Sequence, residues 1–209
     1  MRRGVLLLAA GVLSLAGCSA AERGAPEPVP TSSGVPSTKG SSPSPSAAGG
    51  AVPKVNDPLD LSRYQDNPCA LLTDAQVTRF LGEPIEGTPK LDGPTGDGCT
   101  WSVRGGVGGG IFLDLPTISD TGLAGIYRQR GTSYQFFREM PNVEGYPAVA
   151  YGHADETDQG ECAVAVGTSD DRTVELTAVL SERTVGKKDP CQAAHDTAVE
   201  VVQNIKGGR

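Results

Sequence analysis

The sequence has few of the side chains on which enzymes most often rely. Its 209 residues include 2 histidines and 1 tryptophan, and aromatic residues make up 5% of the chain. It contains no Gly-x-Ser-x-Gly motif, no Cys-x-x-Cys pair and no phosphate-binding loop that ends in Lys-Ser/Thr. Two histidines also leave little scope for general acid–base catalysis. We therefore predict a protein that is not an enzyme and holds neither a metal nor a cofactor.

Long apolar runs are missing as well. The main apolar run, residues 5–16, is interrupted by Gly11 and Ser14. It is well short of the roughly 20 residues that a membrane-spanning helix needs. A run of this length behind Arg2 and Arg3 is typical of the hydrophobic part of a signal peptide. We therefore expect a cleaved leader in this position and not a transmembrane helix.

The four residues after that run, Leu15-Ala16-Gly17-Cys18, resemble the lipobox of bacterial lipoprotein signal peptides. In such precursors the cysteine thiol receives a diacylglycerol and the preceding peptide is removed. The resemblance implies that residues 1–17 are a signal peptide and that Cys18 is the lipidation site. The protein would then be lipid-anchored at the extracytoplasmic face of the cell membrane. Cleavage to a freely secreted protein, the alternative, leaves Cys18 as an odd thiol beside four other cysteines.

Positive charge is scarce and scattered along the chain. There are 18 Lys and Arg against 25 Asp and Glu, a net charge of −7. Nucleic-acid binding depends on clustered Lys and Arg that displace counterions, so we predict no nucleic-acid partner. Anionic lipid head groups also repel such a surface. The membrane is therefore expected to hold the protein only through the lipid on Cys18.

A change in composition separates two regions after Cys18. Residues 18–59 are rich in Pro, Ser, Gly, Thr and Ala and contain no aromatic residue. Such a segment buries too little apolar surface to offset the entropy of ordering it, so we predict a disordered tether. Residues 60–209 have the length of a single globular domain.

Capping patterns mark the helices of this domain. Thr73 and Gln76 fit a capping box, and Gly82 is a stop signal, which predicts a helix between them. Asp189 and Pro190 fit the N-cap and first position of a long C-terminal helix with apolar residues at helical spacing. A short helix is also expected over residues 123–130.

Apolar alternation and turn residues predict strands between those helices. Two hairpins are expected, and two weaker strand candidates precede the second one. The hairpins pair residues 99–103 with 111–115 and residues 163–167 with 174–180, and the weaker strands are residues 134–137 and 143–151. The pattern is typical of an α+β domain with an antiparallel sheet and helices packed on one face.

Four cysteines lie in the domain: Cys69, Cys99, Cys162 and Cys191. An even number in an exported domain, without metal-binding spacing, favours two disulfides over a metal site. Three connectivities are possible. The hairpin that starts at Cys162 returns to its own starting end, and a short loop then brings Cys191 to that end. Geometry therefore favours Cys162 with Cys191, and Cys69 with Cys99 follows.

An acidic loop is the leading candidate for binding. His153 is followed by Asp155, Glu156, Asp158 and Glu161 in a segment that joins two strands. Several carboxylates are what Ca²⁺ needs, but their spacing matches no calcium-loop pattern. We therefore interpret the loop as a surface for a partner or ligand at one end of the sheet. The other histidine, His195, lies early in the C-terminal helix, where a structural role is expected.

Five short blocks, taken in order, resemble the DUF3558 family of actinobacterial lipoproteins. They are NPCALLT at residues 67–73, GCTW at 98–101, GYPAV at 145–149, CAVAV at 162–166 and DPCQAA at 189–194. The resemblance implies a cell-envelope lipoprotein of unassigned function, with no family catalytic residues to transfer. We expect a non-catalytic domain that binds a wall component, a small ligand or another envelope protein. The alternatives are a lipid or small-molecule carrier with an internal cavity and an envelope hydrolase.

Overall fold

The computed structural model describes residues 51–103 and 108–207. The described residues form three α-helices and one antiparallel sheet of seven strands in the order β1-β2-β3-β7-β6-β5-β4. The strands are β1 (Thr88–Lys90), β2 (Gly96–Ser102), β3 (Gly110–Pro116), β4 (Phe136–Val143), β5 (Tyr146–Gly152), β6 (Glu161–Gly167) and β7 (Thr173–Val179). The helices are α1 (Asp74–Leu81), α2 (Gly122–Arg128) and α3 (Pro190–Gly207). None of these helices has the length and apolar character that crossing a bilayer requires.

The sheet consists of two meanders, β1–β3 and β4–β7, which join where β3 pairs with β7. In that pair Leu113 lies opposite Leu176 and Asp114 lies opposite Glu175. The chain passes from one meander to the other through α2. The predicted α+β class, antiparallel sheet and two disulfides are confirmed.

Both disulfides have the predicted connectivity. Cys69 is bonded to Cys99 and Cys162 is bonded to Cys191, with Cα–Cα distances of 5.1 and 4.9 Å. The second bond joins the start of β6 to the first turn of α3. It therefore fixes the long helix to the centre of the sheet.

The predicted caps are present at α1 and at α3. The Thr73 hydroxyl accepts from the Gln76 backbone N–H, the Gln76 side chain accepts from the Thr73 N–H, and Gly82 ends α1 with φ 83°. At α3, Asp189 accepts from the Cys191 N–H at 2.8 Å. The caps satisfy donors that have no partner inside the helix.

One buried side chain joins the two helices. Asn204 of α3 donates to the Leu71 carbonyl at 2.9 Å and to Gln76 Oε1 at 2.8 Å. Because Gln76 also belongs to the capping box of α1, Asn204 couples that cap to the C-terminal helix.

The main core lies between α3 and one face of the sheet, which we call the α3 face. Alternation along the strands directs Trp101, Leu113, Val164 and Leu176 to this face. The buried positions of α3 that meet them are Ala194, Ala198, Val201, Val202 and Ile205. Small and β-branched side chains on both sides bring the helix close to the strands.

The opposite face, which we call the α2 face, carries a second and smaller cluster. Leu123 and Ile126 of α2 pack with Val149 and Ala165, which alternate with the residues that face α3. The expectation that the helices pack on one face is therefore not confirmed, since α2 packs against the other side. The physical reason is that Val149 of β5 and Ala165 of β6 form an apolar patch on this face, and Leu123 and Ile126 cover it.

The described residues before position 60 contact the domain, although their composition predicts that they belong to the tether. The Leu59 N–H donates to the Thr168 carbonyl at 2.9 Å, and the Val55 N–H donates to Asp170 at 3.1 Å. The Tyr146 hydroxyl donates to the Asp57 carbonyl at 2.8 Å. The end of this segment is thus held beside the β6–β7 turn.

Candidate functional site

A cleft of about 370 Å³ opens on the α2 face. Its lining includes Asp114, Ile118, Ile126, Tyr134, Tyr151 and Glu175. We call it the Glu175 cleft. Its floor is formed by the strands and one wall by α2, so its polar groups are fixed by regular secondary structure.

Glu175 is the central polar group of this cleft. Val174 and Leu176 point into the core, so the alternation of β7 directs Glu175 to the α2 face. The Tyr151 hydroxyl donates to Glu175 Oε2 at 2.7 Å, and the Thr173 hydroxyl donates to Oε1 at 3.3 Å. The carboxylate is thus held in one position by two neighbouring hydroxyls.

Burial raises the pKa of Glu175 above its usual value. The hydrogen bonds from Tyr151 and Thr173 act in the opposite direction, and the charge of Asp114 adds to the increase. Burial and the charge of Glu175 also raise the pKa of Tyr151. The phenol therefore keeps its proton and acts as the donor in this pair.

The strand register explains how these side chains meet. Glu175 on β7 lies opposite Ala165 on β6, and Tyr151 on β5 lies opposite Ala163 on β6. Because both intervening residues are alanine, the phenol of Tyr151 reaches across β6 to the carboxylate. A larger residue at Ala163 or Ala165 would occupy this path.

The same cross-strand row continues on the other side of Glu175. Asp114 on β3 is the register partner of Glu175, Gly98 on β2 is the partner of Asp114, and Lys90 on β1 is the partner of Gly98. The Lys90 ammonium group reaches across Gly98 and forms an ion pair with Asp114. Lys90 thus neutralises Asp114, whereas no described Lys or Arg forms an ion pair with Glu175.

Tyr134 forms the boundary between the Glu175 cleft and a second hollow. Its ring meets the ring of Tyr151 edge-on, with centroids 4.8 Å apart, and its centroid lies 5.4 Å from that of His153. The second hollow measures about 410 Å³, and Tyr134 and Tyr151 line both spaces. The two hollows are therefore adjacent.

The predicted binding loop borders this second hollow. His153, Glu156 and Glu161 line it, and His153 Nδ1 lies 2.9 Å from the Ser133 carbonyl. Asp155 instead accepts from the Thr157 hydroxyl at 2.6 Å and from the Thr157 N–H at 3.1 Å, and these bonds lower its pKa. Asp158 is exposed and does not line the hollow.

The predicted loop residues are thus only partly brought together. Within residues 51–103 and 108–207, no group of three or more His, Cys, Asp or Glu side chains is placed to hold a metal ion. His195 lies on α3, and its Nε2 is 2.9 Å from the Pro141 carbonyl. The predicted lipidation site Cys18 lies outside the described residues, as does most of the tether.

Comparison with known proteins identifies the family. A family model described as a protein of unknown function, DUF3558, matches residues 13–204. The chain belongs to the DUF3558 family. The match begins before Cys18 and extends nearly to the end of α3, so it includes the lipobox-like cysteine and every residue of the cleft. No curated protein and no solved structure matched the chain.

Sequence reasoning missed the central residues of the cleft in this DUF3558 protein. Glu175 and Tyr151 stand in apolar strand segments, Val174-Glu175-Leu176 and Val149-Ala150-Tyr151. A charged residue in the middle of an otherwise apolar strand was the one available signal. Its partners could not be identified, because the register between β7, β6 and β5 is not visible in the sequence.

Proposed function

We propose that the protein is a lipid-anchored lipoprotein of the cell envelope whose domain binds a small ligand in the Glu175 cleft without transforming it. Three features support this proposal. The string that ends in Cys18 resembles a lipobox, the two disulfides suit an oxidising compartment outside the cytoplasm, and the cleft is built on a rigid sheet. The lipid on Cys18 holds the protein at the extracytoplasmic face of the membrane.

The observation that carries the binding function is the placement of Glu175. A carboxylate loses hydration when it is buried, and an apolar residue at the same strand position would avoid that cost. Glu175 is nevertheless fixed by Tyr151 and Thr173 at the floor of a cleft. A half-buried titratable group with a shifted pKa in a concave site is a strong candidate for a functional residue.

Binding is favoured over catalysis by the composition of the cleft. His153 lies in the loop beyond Tyr134, and His195 lies on α3 against the other face of the sheet. The acidic pair in the cleft is also asymmetric, since Asp114 is neutralised by Lys90 and Glu175 accepts from Tyr151. Such an arrangement suits a fixed recognition group better than a proton-transfer pair.

The carrier alternative requires a hollow between the sheet and the helices. Val164, Leu176, Ala198 and Val201 meet there, and none of them has exposed surface. The ligand is therefore expected on the α2 face, where the cleft is open to solvent, and not between the sheet and α3.

The test is ligand capture with a blocked cleft. The full chain, expressed in an exporting bacterial host and purified in a mild detergent, is incubated with a small-molecule extract of the cell envelope, washed and denatured. Mass spectrometry then identifies the released compounds and any that were chemically changed. Ser119→Trp fills the cleft from an exposed wall position, and Glu182→Trp is the matched control at an exposed position away from the cleft.

We expect an unchanged compound that is released by the wild type and by Glu182→Trp but not by Ser119→Trp. An identical set of compounds from all three proteins would show that the cleft is not the binding site. A converted compound whose formation depends on the cleft would show that the protein is an enzyme.

A further inference from the structure

We propose that the ligand of the Glu175 cleft is a small organic cation, such as an alkylammonium or quaternary ammonium compound. In this assignment Glu175 is the counter-ion and the Tyr134 ring is the apolar wall beside the positive charge. The inference rests on the proposed function, because it names the chemical class of the ligand that occupies the same cleft.

The first support is the charge balance of the lining. Asp114, Asp171 and Glu175 are acidic, and Lys90 is the basic residue that lines the cleft. Since Lys90 is paired with Asp114, the charge of Glu175 has no protein cation to balance it among the described side chains. An anionic ligand would be repelled, whereas a cation would recover the electrostatic energy that Glu175 loses on burial.

The second support is the surface around Glu175. The rings of Tyr134 and Tyr151 pack edge to face, and Ile118 and Ile126 add aliphatic surface to the same cleft. An aromatic ring beside a carboxylate is a favourable setting for an ammonium group, because the ring face attracts positive charge and accepts its methyl or methylene groups. Ile118 is 69% exposed, so a ligand with an alkyl part also gains a hydrophobic contact at the rim.

An inorganic cation is a poorer fit. A hard ion such as Ca²⁺ takes six or more oxygen ligands. The two oxygens of Glu175 already accept from Tyr151 and Thr173, and Asp114 is engaged by Lys90. In the described part of the chain no set of three acidic, His or Cys side chains is arranged for a metal. Asp171, the third acidic residue of the lining, accepts from the Ser169 hydroxyl. The cleft therefore combines the Glu175 carboxylate with aromatic surface, which suits an organic ion.

The size of the cleft limits the ligand to a small molecule. A volume of about 370 Å³ lies near the lower end of the range for ligand pockets. Gly125 and Ile126 of α2 and the Tyr134 ring are part of its lining. A long polyamine or a peptide would extend beyond this space, whereas a single ammonium head group with a short chain fits it.

The experiment compares two probes that differ in charge and have nearly the same shape. Choline and its neutral isostere 3,3-dimethylbutan-1-ol are titrated into the purified full chain by isothermal calorimetry at pH 7.5. Butylammonium and acetate serve as a primary-amine probe and an anionic control. The variants are Glu175→Gln, Tyr134→Leu and, as a matched loss of one carboxylate outside the cleft, Glu182→Gln.

We expect at least one of choline and butylammonium to bind about tenfold or more tightly than the neutral isostere and acetate, because a charge-assisted contact to the Glu175 carboxylate is stronger than a contact between neutral groups. Glu175→Gln should remove this preference, Tyr134→Leu should weaken binding of the cation roughly fivefold, and Glu182→Gln should leave it unchanged. Thermal unfolding of each variant confirms that it is folded.

Three outcomes overturn the inference. They are binding of both ammonium probes that is no tighter than that of the neutral isostere, unchanged affinity of the bound ammonium probe in Glu175→Gln, and no binding of either ammonium probe. Each leaves the proposed function standing if the extract still yields a compound that Ser119→Trp fails to capture. The proposed function fails separately if no compound depends on the cleft.

Discussion

Removal of the Cys162–Cys191 disulfide provides a quantitative test of the fold. The perturbation is the double variant Cys162→Ala/Cys191→Ala, which leaves no unpaired thiol in the domain. The two residues are 29 positions apart, and the Cys69–Cys99 pair is separated by 30. Chain-entropy reasoning assigns a loop of this length a stabilisation of about 3.6 kcal/mol at 25 °C.

Because the two loops are nearly equal in length, Cys162→Ala/Cys191→Ala and the matched variant Cys69→Ala/Cys99→Ala should lose about the same free energy of unfolding from the entropic effect. The two disulfides differ in the structural elements that they connect. Cys191 lies in the first turn of α3, which covers the α3 face, whereas Cys69 lies in a short 3₁₀ helix beside the start of the sheet. Loss of the Cys162–Cys191 bond should therefore lower the cooperativity of unfolding more, since α3 can then separate from the strands.

The assay is urea unfolding followed by the fluorescence of Trp101 and by far-UV circular dichroism. Trp101 is the single tryptophan and is 2% exposed, so it reports on the core. We expect a loss of about 3 to 4 kcal/mol for each double variant. A loss below about 1 kcal/mol for Cys162→Ala/Cys191→Ala would refute the loop-closure argument. A Cys69–Cys191 or Cys99–Cys191 peptide in a non-reduced digest would refute the connectivity.

Three further predictions follow from particular residues. Cys18→Ser should abolish lipidation and leave the precursor uncleaved at that site; a wild-type protein without a lipid mass increment that partitions into the aqueous phase of a detergent extraction would contradict it. Burial raises the pKa of folded Glu175, so its contribution to stability is greatest below the unfolded value of about 4.3 and is lost as the pH rises through the folded value. In urea titrations, the free energy of unfolding of Glu175→Gln should therefore increase relative to that of the wild type as the pH rises from 4 to 7. A difference between the two proteins that does not change with pH would disprove this. Asn204→Ala should lower the free energy of unfolding by about 2 kcal/mol, because the buried Leu71 carbonyl loses its donor and Gln76 loses the hydrogen bond from Asn204. A loss under about 0.5 kcal/mol in the same urea titration would show that water replaces the amide.

The parts of the fold that could be predicted are those that local chemistry determines. The capping box at Thr73, the stop at Gly82 and the Asp189-Pro190 start act within one helical turn. The hairpins join neighbouring segments, so the direction of their strands follows from the turns between them. The pairing of Cys162 with Cys191 followed from the same reasoning.

The parts that could not be predicted depend on contacts between distant segments. The Glu175 cleft exists because β3 pairs with β7 in a register that places Asp114 opposite Glu175. Nothing near either residue in the sequence sets that register. The strand β1 contains a proline and is only three residues long, so its role in supplying Lys90 was also hidden.

The side of the sheet on which α2 packs was unpredictable for a related reason. Its apolar residues Leu123 and Ile126 would fit either face, and the choice depends on where Val149 and Ala165 lie side by side. The residues before position 60 are held by the packing of Val55 and Leu59 against the main core, by the Lys54–Asp170 ion pair and by backbone bonds such as that of the Leu59 N–H. Backbone contacts of this kind leave no signature in the side-chain sequence.

The isoleucine methyl groups provide the most direct measurement of where the ligand binds. The chain contains five isoleucines, and all lie in the described part. Two line the Glu175 cleft and three lie elsewhere in the domain: Ile118 and Ile126 in the cleft, and Ile85, Ile111 and Ile205 in or against the main core.

The labelled full chain is titrated with the captured envelope compound or with choline, and its ¹³C-methyl NMR spectrum is recorded at each step. The δ1-methyl signals of Ile118 and Ile126 should shift with saturation, those of Ile111 and Ile205 should stay in place, and Ser119→Trp should remove the response. Shifts that are largest at Ile111 and Ile205 would place the ligand between the sheet and α3, and would contradict the claim that the Glu175 cleft is the binding site.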